Sequence, residues 1–410
     1  MIRELARRLT ALELPLVGLA VTGCLVSDRL LLPTLGLALI FWGLHWLAYG
    51  APRRRTPTDL PIIGLVLLLP ITLWITALPD VTRVQVLRLL VGIALYYSIT
   101  TWATTLPRLQ ATLGGCVAVG LGLALAAPVL VDWQSFPVTL LPTAVYARQP
   151  FLFGDGVNPN VLAGQLALLL PLILALLLAP QRAPMRGVRL GALLLSGPLV
   201  VTLVLTESRG GGLAALVGLA TMLLISVRYR ILLVSGMLFA LAGFTLLGGW
   251  NGLLADDPLG GIAGRMEIWS RARYMLHDFA FTGIGMGSFL LVVETLYPYT
   301  LVPPGRGEHA HNLLLQVGVD LGLAGLGLWL AVLGLCTLAA VRGYRHAAAD
   351  DAGWWQRAVA LGVLGSQVAL LTHGMVDAVT WGMVKPAPLV WAVWGLGVAA
   401  AAGARTDPPD

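Results

Sequence analysis

Apolar stretches long enough to cross a bilayer, parted by short arginine-bearing connections, recur along this chain and leave it few ways to fold. A hydrocarbon core takes ~20 apolar residues per helix. On that measure about twelve spans are expected, at roughly 11–27, 30–49, 60–79, 84–105, 112–131, 157–179, 189–206, 210–227, 231–248, 311–341, 354–379 and 384–403. The first is short, and 311–341 is long enough to begin above the membrane. Composition agrees: 58% of the residues are hydrophobic and only 11% charged, a balance soluble domains do not carry. The expected fold class is an all-α polytopic membrane protein with one transmembrane domain over 1–410. Glycine and proline are spread through the spans, as membrane helices tolerate.

The net charge of +6 does not point to nucleic acid, because the basic residues punctuate apolar runs. Arg3, Arg7, Arg8, Arg53, Arg54, Arg55, Arg108, Arg182, Arg186, Arg189, Arg228, Arg230, Arg342, Arg345, Arg357 and Arg405 fall on one side of the span pattern. They make up 16 of the 26 basic residues. By the positive-inside rule that side is the cytoplasm. Twelve spans then place both termini there and leave a large loop, 249–310 between spans 9 and 10, on the outer face with the shorter 132–156. The basic, then apolar N-terminus shows no small-residue cleavage site before Asp28-Arg29 and is read as a retained first span. Cys24, Cys116 and Cys336 lie in apolar runs, so buried packing and no disulfide are expected.

Within the large loop, Ile262, Met266, Trp269, Arg273, Leu276 and Ala280 fall on one face at helical spacing, with Glu267, Arg271 and Asp278 opposite. This predicts an amphipathic helix with an i,i+4 Glu267–Arg271 pair, suited to the bilayer surface. Gly283-Ile284-Gly285-Met286-Gly287 follows, expected as a tight flexible turn.

The candidate chemistry gathers on the outer face. His309, His311 and Asn312 open a long apolar segment, and a neutral imidazole near pH 7 can take a proton from a sugar hydroxyl. Two histidines without a convincing third ligand make an incomplete zinc site. Arg209 sits before Gly210-Gly211-Gly212, where a ligand can approach the backbone and a guanidinium fork suits diphosphate oxygens. Arg265, Arg271 and Arg273 repeat that cationic character in the loop. Asn158-Pro159-Asn160 opens another span from outside, where capping is the plainer reading. His373 and Asp377 are polar groups near the outer end of a span, and Asp320 is placed to orient an arginine.

His311-Asn312 followed nine residues on by Gly322-x-x-Gly325 resembles the O-antigen ligase family, within a wider superfamily of lipid-linked glycan transferases. Ser208-Arg209-Gly210, Arg265-Met266-Glu267-Ile268-Trp269, Gly283-x-Gly285-x-Gly287-x-Phe289 and Asn158-Pro159-Asn160 support it, over roughly 160–325. The resemblance implies a GT-C-like enzyme of the bacterial inner membrane with a periplasmic active site. It would transfer polysaccharide from undecaprenyl diphosphate to the lipid A–core oligosaccharide, with inversion. His311 looks like the family's essential histidine, Arg209 and Arg265 like its arginines, and Asp377 like a downstream acidic position. Asn158, Asn160, Arg271, Arg273, His309, Asn312 and Asp377 are expected to bind substrate. No cofactor and no metal are expected, and a groove lined by Gly211, Gly212, Ala214, Ala215 and Gly218 is expected for the lipid tail. An O-antigen polymerase, a protein O-oligosaccharyltransferase and, in a different class, a lipid-linked glycan transporter are the alternatives. The short stretch after Gly403 leaves the second little room for an added domain. A transporter would line charges through the middle of its spans.

Overall fold

The computed structural model describes residues 1–133, 156–179, 186–226, 262–305 and 307–403, with isolated positions between 230 and 242. The expected span at 231–248 and the loop segment 249–261 therefore lie largely outside the described residues. The described residues are helical and contain no sheet; a single parallel bridge joins Val131 and Val157. We number the helices α1 (Ile2–Thr10), α2 (Glu13–Cys24), α3 (Leu31–Tyr49), α4 (Asp59–Ile75), α5 (Pro79–Trp102), α6 (Leu106–Leu130) and α7 (Pro159–Leu178). Then follow α8 (Arg186–Leu205), α9 (Arg209–Ser226), α10 (Ile262–Asp278), α11 (Phe289–Leu296), α12 (Leu313–His346), α13 (Asp351–Gly374) and α14 (Pro388–Ala401).

Among the described residues, seven helices are long and apolar enough to cross a membrane and α2, α4 and α14 are shorter apolar helices, and the chain is a multi-pass membrane protein. The segmentation follows local chemistry: prolines open α5, α6, α7 and α14, where the first amide needs no helical partner. Asn158, Asn312 and Asp350 cap α7, α12 and α13 through their side-chain oxygens. The central helices α5, α7, α13 and α14 are buried along most of their length, whereas α3 and α8 keep leucine-rich faces exposed and α6 a face of mostly alanine and glycine. All three cysteines are free and buried, as expected for packing residues.

Two glycine motifs turn out to be halves of one joint. Gly322 takes φ 72°, ψ 179° and breaks α12, which frees carbonyls of the turn before it. The Gly283–Gly287 turn docks into that break: Ile284 N donates to Val319 O at 2.9 Å, Gly285 N to Asp320 O at 3.3 Å, and Leu323 N to Ala280 O at 2.7 Å. Backbone groups buried this deeply need such partners. Gly283, Gly285 and Gly287 all have positive φ and are pressed against Asp320, Thr76 and Gln85, so the turn is a packed joint and not a flexible link. A Cβ at position 322 would lie 2.8 Å from Ala280 O, at a φ that L side chains rarely adopt. Gly322→Ala is therefore expected to cost roughly 1–3 kcal/mol from the backbone alone, read as a fall of several degrees in the unfolding midpoint; an unchanged midpoint would mean the joint is not a constraint.

The loop helix α10 is present, and its Glu267–Arg271 pair forms at 3.4 Å. Its buried face differs from the expected one: Ile268, Ala272 and Met275 pack with Ile284, Phe289, Val293, Val302 and Ala310 in a small separate core, while Met266 is 60% exposed. The 262–311 segment is a folded cap, so tertiary packing and not bilayer contact selects the face. Likewise, of the small residues of α9 expected to line a groove, Gly211, Ala214 and Gly218 are packed, and Gly212 alone of the glycines there faces open space. A Cβ on Gly211 would meet Ala163 Cβ at 2.7 Å, one on Gly218 would meet Gly365 O at 2.8 Å, and Ala214 is fully buried. They let α9 press closely on α7 and α13.

Candidate functional site

Three chain segments meet at one end of the bundle: the 307–312 approach to α12, the 375–387 connection between α13 and α14, and the start of α9. His309 Nε2 lies 3.5 Å and His311 Nδ1 3.7 Å from the same oxygen, Asp377 Oδ1. The imidazoles face each other with centroids 4.0 Å apart at 40°.

Local backbone chemistry sets this arrangement. His311 occupies the left-handed region at φ 44°, costly for a residue with a Cβ and so held by its surroundings. Its amide donates to His309 Nδ1 at 3.1 Å, and its carbonyl accepts from Trp269 Nε1 at 3.3 Å. Because His309 Nδ1 is an acceptor, the neutral ring carries its hydrogen on Nε2, toward Asp377. Asn312 accepts from Leu315 N at 3.1 Å and donates Nδ2 to Met375 O at 3.2 Å, which ties the α12 entry to the 375–387 segment.

Behind the cluster sits a polar strut. Gln316 Oε1 accepts from Ala310 N at 2.7 Å, between the two histidines, and Gln316 Nε2 donates to Asp320 Oδ1 at 2.9 Å. The other oxygen of Asp320 accepts from Trp381 Nε1 at 2.8 Å, four residues past Asp377. Asp320 is completely buried and serves this strut; it does not orient an arginine as expected from the sequence. Gln316 and Trp381 lie outside the residues expected at the site. The signal for the first was there: Asn312, Gln316 and Asp320 form a polar stripe at i,i+4 spacing in an otherwise apolar helix.

The electrostatics follow from burial and proximity. Burial pushes the pKa of His309 down to about 4, with His311 and Arg265 adding to that and Asp377 opposing it. Burial alone would raise that of Asp377, but His311 first, then His309 and His373, hold it well below the usual carboxylate range. The cluster thus pairs a carboxylate with a neutral His309, and His311 Nδ1 is buried without a hydrogen-bond partner.

Two arginines approach from the cap and from α9. Arg265 donates NH1 to Val376 O at 2.8 Å, beside Asp377. Glu267 fixes that helix: burial would raise its pKa, but hydrogen bonds from the Thr300 hydroxyl and the Thr300, Leu301 and Val302 amides hold it at about 2. Ser208 caps α9, accepting from Gly211 N at 3.2 Å, so Arg209 stands exposed in its first turn. The α9 backbone reaches the site at Gly210, where a Cβ would lie 2.9 Å from Val376 Cγ2 and 3.1 Å from His373 Cδ2. A positive helix end with an arginine is a natural seat for anionic oxygens.

The structure brings His309, His311, Asn312, Asp377, Arg265 and the start of α9 together. Arg271 is engaged by Glu267. Arg273 is exposed two turns beyond Arg265, about 12 Å further along the helix axis. Asn158 caps α7 by accepting from Asn160 N at 2.8 Å. His309, His311 and Asp377 each offer a ligand atom, all within 4.8 Å of one another, so this is where a cation would be held. The nearby Arg265 and the Nδ1 of His309 already accepting a hydrogen bond both weigh against one.

No curated protein matches the chain. Residues 192–330 match the family model described as O-antigen ligase, a stretch that contains Arg209, Arg265, His309, His311, Asn312 and Gly322-x-x-Gly325 and excludes Asn158, Asn160 and Asp377. The resemblance carried by the His-Asn and Gly-x-x-Gly spacing is thereby borne out over residues 192–330, the stretch that is similar to the O-antigen ligase family.

Proposed function

We propose that this protein transfers a glycan from a lipid diphosphate to a sugar hydroxyl of a second lipid, as an O-antigen ligase. On this reading the donor is undecaprenyl diphosphate, the acceptor is the lipid A–core oligosaccharide, and the site faces the periplasm with both termini in the cytoplasm. The observation that carries it is the pair of imidazoles sharing Asp377 Oδ1 beside Arg265 and the α9 N-terminus. Asp377 turns His311 Nδ1 toward itself and leaves Nε2 for the acceptor hydroxyl; the 3.7 Å contact would tighten on binding. The hydroxyl oxygen then attacks the anomeric carbon and its proton passes to His311 Nε2. The bond to the diphosphate breaks on the opposite face, and the diphosphate leaves with the electron pair. Arg209, Arg265 and the α9 end offset the growing charge on it.

Such a leaving group needs neither a nucleotide nor a strong acid, and with Arg209 and Arg265 in the place of a metal at the diphosphate a chelator is expected to leave transfer unchanged, measured on purified protein; a loss restored by Mg²⁺ would overturn this part of the mechanism. The reaction class is tested in a strain lacking the protein, by gel analysis of its lipopolysaccharide. A ligase defect leaves polymer on the carrier and bare core. Core bearing a single repeat would instead identify a polymerase.

A further inference from the structure

The reaction just proposed needs two lipids, and an apolar groove apart from the histidine cluster is present in the fold. A largely apolar groove of about 870 Å³ runs between α2, α5, α6, α7 and α14. It extends from Arg88 to Trp102 along α5, about 21 Å at helical rise. Gly18, Gly115 and Gly122 line it, and a Cβ built on any of them meets nothing within 4 Å, so the space there is open.

Its charged and amide side chains, Arg88, Asn158, Gln165 and Lys385, gather at the end nearer the site. Gln165 lines the groove and donates to Val379 O at 3.1 Å, two residues from Asp377, so groove and catalytic cluster share the 375–387 segment as a wall. Arg88 is engaged already: it grips Asp28 with two bonds of 3.0 and 2.9 Å and donates to the carbonyls of Gly382 and Met383. Lys385, the chain's sole lysine, donates to Val26 O at 2.9 Å, which uses one of the three hydrogens an ammonium carries. A partly exposed ammonium above an apolar channel complements a lipid with an anionic head and a long chain.

We infer that this groove seats a chain of the acceptor lipid, with its anionic head group at Lys385. The assignment to the acceptor rests on the ligase reading, in which Arg209 and Arg265, across the shared wall, take the donor diphosphate. A lipid entering from the α2–α6 side would bring its sugar to His311 from the face opposite the donor.

The test uses the full chain in nanodiscs of neutral phosphatidylcholine, with dodecyl phosphate as the anionic probe and dodecanol as its neutral counterpart. Wild-type protein is expected to bind dodecyl phosphate saturably. Lys385→Gln should weaken that binding about tenfold, the loss of one charge-assisted hydrogen bond. The double variant Gly115→Leu, Gly122→Leu should abolish it, with the protein folded because both side chains enter open space. In transfer assays the same variants should raise KM for the acceptor lipid about tenfold and leave the donor KM unchanged. Equal binding by all three proteins, or of both probes, would overturn the site. A shift confined to the donor KM would overturn its assignment to the acceptor. A chain with no transferase activity that still binds the probe through Lys385 would remove the ligase reading and leave the groove standing.

Discussion

His311→Ala is expected to lower transfer by about 10²–10⁴-fold, the range a positioned general base contributes, in protein that still inserts and folds. The loss should fall on kcat and leave the KM of both lipids close to normal, because the imidazole is used as the hydroxyl loses its proton. His309→Ala separates the two rings. His309 is pushed down to a pKa of about 4 by burial and by His311 and Arg265, and its Nδ1 is occupied by the His311 amide. It is a poor base at neutral pH and is expected to act by holding His311 at its positive φ. His309→Gln, which keeps an acceptor near that amide, should therefore restore more activity than His309→Ala, whereas no substitution at 311 should rescue. Should His311→Ala retain activity and His309→Ala abolish it, the two roles are exchanged. Should both retain it, the cluster is not the base.

How much of this could be read before folding depends on the range of the interaction involved. The helices follow from span length, proline starts and side-chain caps, all local, and α2 to α9 and α12 to α14 fall where apolar runs of the chain fall, whereas α1 and α10 do not. His311 and Arg265 were legible because imidazole and guanidinium groups are conspicuous at the ends of apolar helices. Their convergence on the 375–387 segment was not, because it joins positions more than sixty residues apart through the carbonyls of Met375 and Val376. The glycines misled in a consistent way. Gly283–Gly287 suggests flexibility and Gly210–Gly212 ligand access, yet Gly283, Gly210 and Gly211 remove side chains where another segment packs against them. Open space lies beside Gly212 and beside Gly18, Gly115 and Gly122, which look no different in sequence. On α10 periodicity gives the helix but not its buried face, which Ile284, Phe289 and Val302 decide from outside the segment.

Asp320→Ala is expected to reduce kcat about 100-fold without touching substrate. The carboxylate joins the two halves of the cluster from behind: Gln316 carries it to the Ala310 amide between the histidines, and Trp381 carries it to the stretch of chain that bears Asp377. Removing it leaves the Gln316 amide and the Trp381 indole N–H without a partner in a fully buried place. Each orphaned donor costs about 1–3 kcal/mol, relieved by letting one or both segments shift. A displacement near 1 Å between His311 and Asp377 is enough to account for the loss. Asp320→Asn keeps the shape but must point its NH₂ at one of the two donors, so it should fall between wild type and Asp320→Ala. The strut also predicts non-additivity, since Gln316→Ala and Asp320→Ala break the same connection. The double variant should then be little worse than Asp320→Ala, whereas two independent packing defects would multiply. Full kcat in Asp320→Ala, or additive losses in the cycle, would mean that the cluster is held together by Asn312 and the cap alone.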